Sequence, residues 1–318
     1  MSSHLVIGAG AVGTALAHRL AGSGEEVVVV TRTGSGPAIA GVRRVAGDAS
    51  SLDALLAAVP SAAAVYNCAN PRYHAWARDW PPIASALLAY AERTGAVLAT
   101  TSNLYGYGPV DGPLTEALPL AAPGVKGRIR ARMWLDAKAA HDAGRLRATE
   151  VRGSDYVVAS DQSRIGSDRV LRPLLAGKKV SLIGRLDQPH TWTSPDDVAA
   201  LLVTVARDGR AWGHAWHVPS APPRTQREAI DDLADAAGVP RVTVSRVPEL
   251  ALRAIGLVDP ILREVRETAY QFDRPYLLDD SAARRTFGLA PTPWVETLRA
   301  VIAAHRSAAA ARPGSARG

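Results

Sequence analysis

Short apolar runs alternate with helical periodicities through the first half of the chain. Leu5, Val6 and Ile7 predict a buried strand. Val12, Leu16 and Leu20 follow at the spacing of one helix face, with Ala15 and Ala17 beside them. Further strands are predicted at Val27–Val30, Val42–Ala46, Ala62–Tyr66, Ala96–Thr100 and Leu146–Val151. A helix over Ser51–Ala58 takes Ser51 as its N-cap and stops before Pro60. A long helix runs to about Thr94 and is closed by Gly95, and another over about 126–143 is closed by Gly144. Strands that alternate with helices in this way build a doubly wound α/β fold, a parallel sheet covered on both faces. That domain is expected over residues 1–152, with a smaller, mainly helical substrate-binding region over 153–305. A helix at Pro195–Ala206, capped by Ser194, and a strand at Ala215–Val218 lie in a stretch, 190–220, expected to return to the first domain. Arg306 to Gly318 are small and basic, and a disordered tail is expected there.

The turn between the first strand and helix carries chemistry. Gly8, Gly10 and Gly13 form G-x-G-x-x-G in the strand–turn–helix setting that a Rossmann-like dinucleotide site requires. Gly8 would allow the tight turn, Gly10 the approach of a pyrophosphate, and Gly13 close packing of helix on strand. Free N–H groups at Ala11, Val12 and Gly13 would hold the phosphates. The second strand ends at Thr31 and is followed by Arg32. No Asp or Glu lies between Val27 and Gly47, whereas Arg32, Arg43 and Arg44 do. An acidic residue there would suit the ribose 2′-hydroxyl of NAD; Arg32 suits the 2′-phosphate of NADP(H), the expected cofactor.

Composition narrows the setting. The chain has 318 residues, nearly half of them apolar, and a single cysteine, Cys68, which excludes an internal disulfide and fits a reducing compartment. The opening residues lack a basic n-region and a cleavable h-region, so no signal peptide is expected. No apolar run approaches a membrane span, and a cytoplasmic protein is expected. The net charge of +7 is carried mostly by Arg; Lys occurs at 126, 138, 178 and 179. Apart from Lys126–Arg132 (KGRIRAR) the charge is dispersed and accompanies no nucleic-acid motif, so an anionic cofactor and a small-molecule substrate are the expected partners. His214 and His217 stand near each other but lack a carboxylate or cysteine partner nearby, so no metal is expected.

Taken in order, several segments resemble the short-chain dehydrogenase/reductase superfamily in its extended, epimerase/dehydratase-like branch. They are the glycine turn, Gly47-Asp48, Asn67-Cys68-Ala69, Thr101-Ser-Asn-Leu-Tyr105-Gly106, His190-Thr-Trp-Thr-Ser-Pro-Asp-Asp-Val198, and Asp280–Gly288 followed by Pro291-Thr-Pro. The resemblance implies that Asp48 touches the adenine. It implies that Cys68, Ala69, Asn70 and Thr100 line the cofactor groove and that Thr101 stands at the family's catalytic Ser or Thr. It also implies a homodimer through the helices near Ser85 and Lys138.

One departure matters most. The family's catalytic Tyr-x-x-x-Lys falls, by count from Tyr105-Gly106, on Lys126-Gly127-Arg128-Ile129-Arg130. Lys126 replaces the proton-donating Tyr, and Arg130 replaces the Lys that holds the nicotinamide ribose. Arg130 can hold a ribose or phosphate but stays charged. Lys126 is a candidate proton donor if burial beside Arg130 tunes it; alternatively, the two lie one turn apart on a solvated helix face. Tyr105 and Tyr107 are further candidate donors. Tyr73, His74, Asn103, Tyr107, His190 and Trp192, together with Trp76 and Trp80, are expected near the carboxyl ends of the strands, where open α/β sheets place ligands. The expectation is an NADP(H)-dependent oxidoreductase acting on a small carbonyl, alcohol or activated double bond, with an aromatic or apolar substrate. A non-catalytic NADP(H)-binding sensor or scaffold, and a non-redox lyase or isomerase, are the alternatives.

Overall fold

The computed structural model describes residues 3–248 and 266–311. Its frame is a seven-stranded parallel sheet in the order β10-β6-β5-β4-β1-β2-β3. The strands are β1 Ser3–Ile7, β2 Glu26–Thr31, β3 Val42–Ala46, β4 Ala64–Asn67, β5 Val97–Asn103, β6 Arg147–Gly153 and β10 Ala215–His217. Central strands are apolar on both faces because helices cover both. Leu5, Val28, Val65 and Leu98 pack with α2 (Leu52–Ala58), α3 (Trp76–Thr94) and α4 (Val125–Asp142). Val6, Val29, Tyr66 and Ala99 face the opposite layer, α1 (Ala11–Gly22) and α6 (Pro195–Arg207).

The sequence order reverses between β1 and β4, which are hydrogen-bonded neighbours. The chain winds outward from β1 to β3, then returns to β4 and winds the other way. The carboxyl ends of β1 and β4 therefore open a crevice, the usual ligand site of such sheets. The segment 195–217 contributes to this sheet layer: α6 packs on α1, and β10 pairs in parallel with β6.

A second, smaller apolar core is separate from these two layers. It is formed by α5 (Asp168–Leu175), β8 (Val180–Leu182), α7 (Gln226–Ala237) and the helix Trp294–Ala311, with Trp192 and Phe272. Two two-stranded parallel sheets accompany the main one: β8 with β11 (Val244–Arg246), and β7 (Asp155–Tyr156) with β9 (Trp192–Thr193). The strand β11 was not expected from the pattern. Nor does a disordered tail begin at Arg306, because the last helix continues through Ala311; Leu298, Val301 and Ile302 anchor it in the smaller core. The rest of that tail, 312–318, lies outside the described residues.

Candidate functional site

The glycine turn has the geometry its spacing predicts. Gly8 adopts φ +99°, and a Cβ there would meet the Cys68 carbonyl oxygen at 2.7 Å. A Cβ on Gly13 would lie 2.0 Å from the Gly8 oxygen, whereas Gly10 has open space above it. Gly10 caps α1, and the first intrahelical bond is Thr14 N–H to the Gly10 oxygen at 2.9 Å. The N–H groups of Ala11, Val12 and Gly13 therefore have no partner inside the helix, and the first turn carries no acid. A dinucleotide pyrophosphate fits this cradle.

The three arginines after β2 separate by role. Arg43 donates to the Ala58 oxygen and Arg44 to the Gly36 oxygen, while Arg32 is exposed at the strand end. Asp48 is also exposed, and its Oδ1 accepts from the Ser50 N–H and hydroxyl; these bonds hold the carboxyl below its ordinary range. Across the crevice, Cys68 is buried with its sulfur 3.6 Å from the Thr101 hydroxyl, and burial pushes the thiol up to about 12. The Ala69 N–H bonds to Asn67 Oδ1, and Asn70 bonds to Gln162. Thr100 alternates with Thr101 and faces the other layer, beside Asn67, Trp134 and Glu150.

The helix α4 carries the departing pair. Gly127 is required for its seating: a Cβ there would lie 2.5 Å from the Tyr105 oxygen. Neither Lys126 nor Arg130 is on a solvated face; they are 2% and 7% exposed. The Arg130 guanidinium lies between two indoles, 4.7 Å from the Trp76 ring and 4.3 Å from the Trp80 ring. Its Nη1 donates to the Thr101 oxygen at 3.4 Å, and its buried Nε has no hydrogen-bond partner among the described residues. The ammonium of Lys126 sits 4.5 Å from the Tyr73 ring centre and 3.3 Å from Glu267 Oε2. The same carboxylate accepts the Lys126 backbone N–H at 2.7 Å, so it also caps the amino end of α4. Glu267 carries no motif and lies 141 residues away, so sequence reasoning missed it.

Tyr73 extends this group toward Thr268 and Trp76. Its hydroxyl lies 3.3 Å from Thr268 Oγ1, and its ring packs edge-on against Trp76 at 5.1 Å. Burial raises the phenols of Tyr73 and Tyr105, so both retain their protons at neutral pH. Asn103 Oδ1 accepts the Tyr105 N–H and fixes the turn. Tyr107 is 3% exposed, and its hydroxyl is engaged on both sides, by Arg152 Nη1 at 2.6 Å and His217 Nε2 at 2.7 Å. Burial pushes that phenol up to about 12. Arg152 in turn pairs with buried Glu150 at 2.6 Å. His74 is exposed on the outer side of its turn.

His190 is 1% exposed, stacked on Phe272 and Tyr276 and packed against Trp192. Its Nε2 bonds to Asp155 Oδ2 at 2.8 Å, and Nδ1 lies 3.3 Å from the Gln271 oxygen. Asp155, a quarter exposed, was also missed, since nothing in its spacing marks it. Among the described residues no three His, Cys, Asp or Glu side chains gather as a metal site, and no helix is long and apolar enough to cross a membrane.

A parallel sheet with a glycine turn at its switch point defines a dinucleotide-binding α/β protein of the Rossmann class. The family description "NAD dependent epimerase/dehydratase" matches residues 4–218, and the chain belongs to that family. Among solved structures it is similar to dTDP-glucose 4,6-dehydratase from Bacillus anthracis in complex with NAD, at 17% identity and a TM-score of 0.76, covering 96% of this chain and 97% of that one. It is similar to UDP-glucose 4-epimerase from Thermotoga maritima at 16% identity and a TM-score of 0.78, covering 96% and 99%. A dTDP-glucose 4,6-dehydratase from Streptomyces venezuelae is 21% identical, with a TM-score of 0.73 and coverage of 96% and 97%. No curated protein matches the chain. The fold is thus that of an extended short-chain dehydrogenase/reductase, and a nicotinamide dinucleotide is its cofactor type.

Proposed function

We propose that the protein is an NADP(H)-dependent oxidoreductase acting on a small, aromatic or apolar carbonyl, alcohol or activated double bond, with Lys126 as its proton donor. The observation that carries this reading is the buried Lys126 ammonium. It is clamped between the Tyr73 ring and Glu267 at the carboxyl end of the sheet, on the helix that follows Thr101. When bound, the cofactor gives or takes a hydride. The chain's own groups supply position and the proton. Ala11, Val12 and Gly13 hold the pyrophosphate, and Arg32 takes the 2′-phosphate. The Thr101 hydroxyl orients the substrate oxygen. Lys126 Nζ carries the transferable proton, and Glu267 holds that nitrogen in place. Arg130, held between two indoles, provides a fixed positive charge beside Thr101.

The test is Lys126→Met. Turnover measured by NADPH oxidation across a carbonyl panel should fall by about 100-fold or more, the scale of a lost general acid. NADPH affinity should stay within a few fold. Undiminished turnover would remove Lys126 from the chemistry. Tight NADPH binding by the unaltered protein with no turnover of any panel member would favour the sensor or scaffold reading.

A further inference from the structure

Among the described residues three lysine or arginine side chains are buried: Lys126, Arg130 and Arg152. Two of them have an anion beside them. Lys126 pairs with Glu267 at 3.3 Å, and Arg152 pairs with Glu150 at 2.6 Å. Arg130 has no carboxylate partner among the described residues. Its one hydrogen bond there is long, 3.4 Å from Nη1 to the Thr101 carbonyl oxygen. Nε and Nη2 donate to nothing among the described residues, and Nε is out of reach of water as well. The rings of Trp76 and Trp80 attract the cation but give its in-plane N–H groups no acceptor. Those rings meet edge to face at 82°, with centres 6.0 Å apart, so they wall one corner of the guanidinium. Burial pulls the guanidinium below its ordinary value, yet an arginine stays protonated. A buried cation without a counter-ion is costly, and a ligand that brings the anion relieves that cost.

A chain of contacts places this cation at the crevice. A Cβ on Gly13 would lie 3.4 Å from the Cys68 Cβ. The Cys68 sulfur is 3.6 Å from the Thr101 hydroxyl, and the Thr101 carbonyl is the acceptor of Arg130. Thr101 itself is half-buried near the carboxyl end of β5. The dinucleotide does not supply the missing anion. Its pyrophosphate fits the first turn of α1, and its 2′-phosphate falls to Arg32. The nicotinamide riboside that remains carries no negative charge. The anion therefore belongs to a second ligand beside Thr101. Nε and Nη2 share one edge of the guanidinium, and that edge matches the two oxygens of a carboxylate.

We infer that Arg130 binds a substrate carboxylate, and that the substrate is a 2-oxo acid or the corresponding 2-hydroxy acid, with its carboxylate on the Nε–Nη2 edge and its reacting oxygen at the Thr101 hydroxyl. This rests on the reading of Thr101 as the residue that orients the substrate. The short span between Thr101 and Arg130 is what puts the carboxylate next to the reacting carbon. An ester or a simple ketone leaves the buried cation unpaired and is discriminated against for that reason.

Two matched pairs of probes test it: phenylglyoxylate with methyl phenylglyoxylate, and pyruvate with methyl pyruvate. Each pair differs in the charge beside the carbonyl. The probes are titrated calorimetrically into the full chain saturated with NADP+ at pH 7. In at least one pair the acid should bind about tenfold or more tightly than its ester. Arg130→Met should weaken that acid by about tenfold or more and leave its ester within about threefold. Arg130→Lys keeps the charge but loses the paired donors, so its effect should fall between. NADPH and 2′,5′-ADP, a fragment without the nicotinamide riboside, are titrated into every variant; unchanged affinity for both reports an intact fold. If Arg130→Met fails to fold, Arg130→Lys and the acid-to-ester ratio of the unaltered protein decide. Equal binding of acid and ester, an unchanged ratio in Arg130→Met, or no binding of any probe overturns the inference. Loss of NADPH affinity in Arg130→Met with 2′,5′-ADP binding intact also overturns it, because the guanidinium then holds the cofactor's ribose. Binding in the expected order without NADPH oxidation by either acid would instead refute the oxidoreductase reading and leave the Arg130 assignment standing.

Discussion

Removing Glu267 perturbs the site and the fold together, and the size of the effect follows from the geometry. Glu267→Ala deletes two contacts at once: the 2.7 Å bond to the Lys126 backbone N–H and the 3.3 Å pair with its ammonium. The lysine side chain is 3% exposed and the glutamate 25%, so this is a largely sheltered pair rather than a surface one. A hydrogen bond involving a charged group contributes about 1.5–3 kcal/mol. A carboxylate at a helix amino end adds about 0.3–1 kcal/mol. Breaking a fully buried pair costs about 3–5 kcal/mol, which is an upper bound here because the glutamate is partly wet. The expected loss for Glu267→Ala is therefore about 2–4 kcal/mol. Glu267→Gln keeps an acceptor for the N–H and should lose about half as much. Urea denaturation followed by circular dichroism measures both. Lys126→Met/Glu267→Gln should be less destabilised than the sum of the single variants, with a coupling of about 1 kcal/mol or more, as contacting charges require. A Glu267→Ala variant within about 0.5 kcal/mol of the unaltered protein, the range of an ordinary surface change, would refute the latch and with it the proposed anchoring of Lys126.

Other consequences are equally direct. Gly13→Ala places a Cβ 2.0 Å from the Gly8 oxygen, so α1 must shift away from the turn; NADPH binding should fall at least tenfold in a fluorescence titration. Arg32→Ala should weaken NADPH by about tenfold, the worth of one exposed phosphate contact of about 1.4 kcal/mol, and leave NADH within twofold. Burial, the largest influence on His217, holds its pKa below 6.5, with Arg152 adding to the fall. The unfolded chain then binds more protons than the folded one between the lowered value and 6.5, so stability falls as pH drops through that window. Urea midpoints at pH 7.5 and 5.5 should show this fall, and His217→Gln should reduce it; an identical fall in the variant would exclude His217 as its source.

The local patterns were sufficient for the sheet. Apolar runs, the glycine turn, the Ser51 and Ser194 caps and the Gly95 stop are all signals carried within a few residues. The count from Tyr105-Gly106 also placed Lys126 and Arg130 on a helix beside that strand end. What lay beyond reach was pairing between distant segments. Glu267 meets Lys126, and Asp155 meets His190, through tertiary packing that no spacing encodes. Trp76 and Trp80 were legible as aromatic groups at the opening of α3, but their stacking on Arg130 depends on how α3 and α4 meet. Tyr107 was legible as a candidate donor, but the engagement of its hydroxyl by Arg152 and His217 is a pairing of distant segments. The helical reach to Ala311 was obscured because a run of alanine and arginine fits a tail as well as a helix; the contacts that hold it, from Leu298, Val301 and Ile302 to the pair His305–Asp168, are made with distant segments.

The most direct test of the central claim is a fluorescence titration of the purified full chain with NADPH and with NADH. Tighter binding of NADPH, by about tenfold or more, is the result that the Gly8–Gly13 cradle and Arg32 together predict. Equal or tighter binding of NADH would contradict the role given to Arg32, and binding of neither would contradict the cofactor site itself.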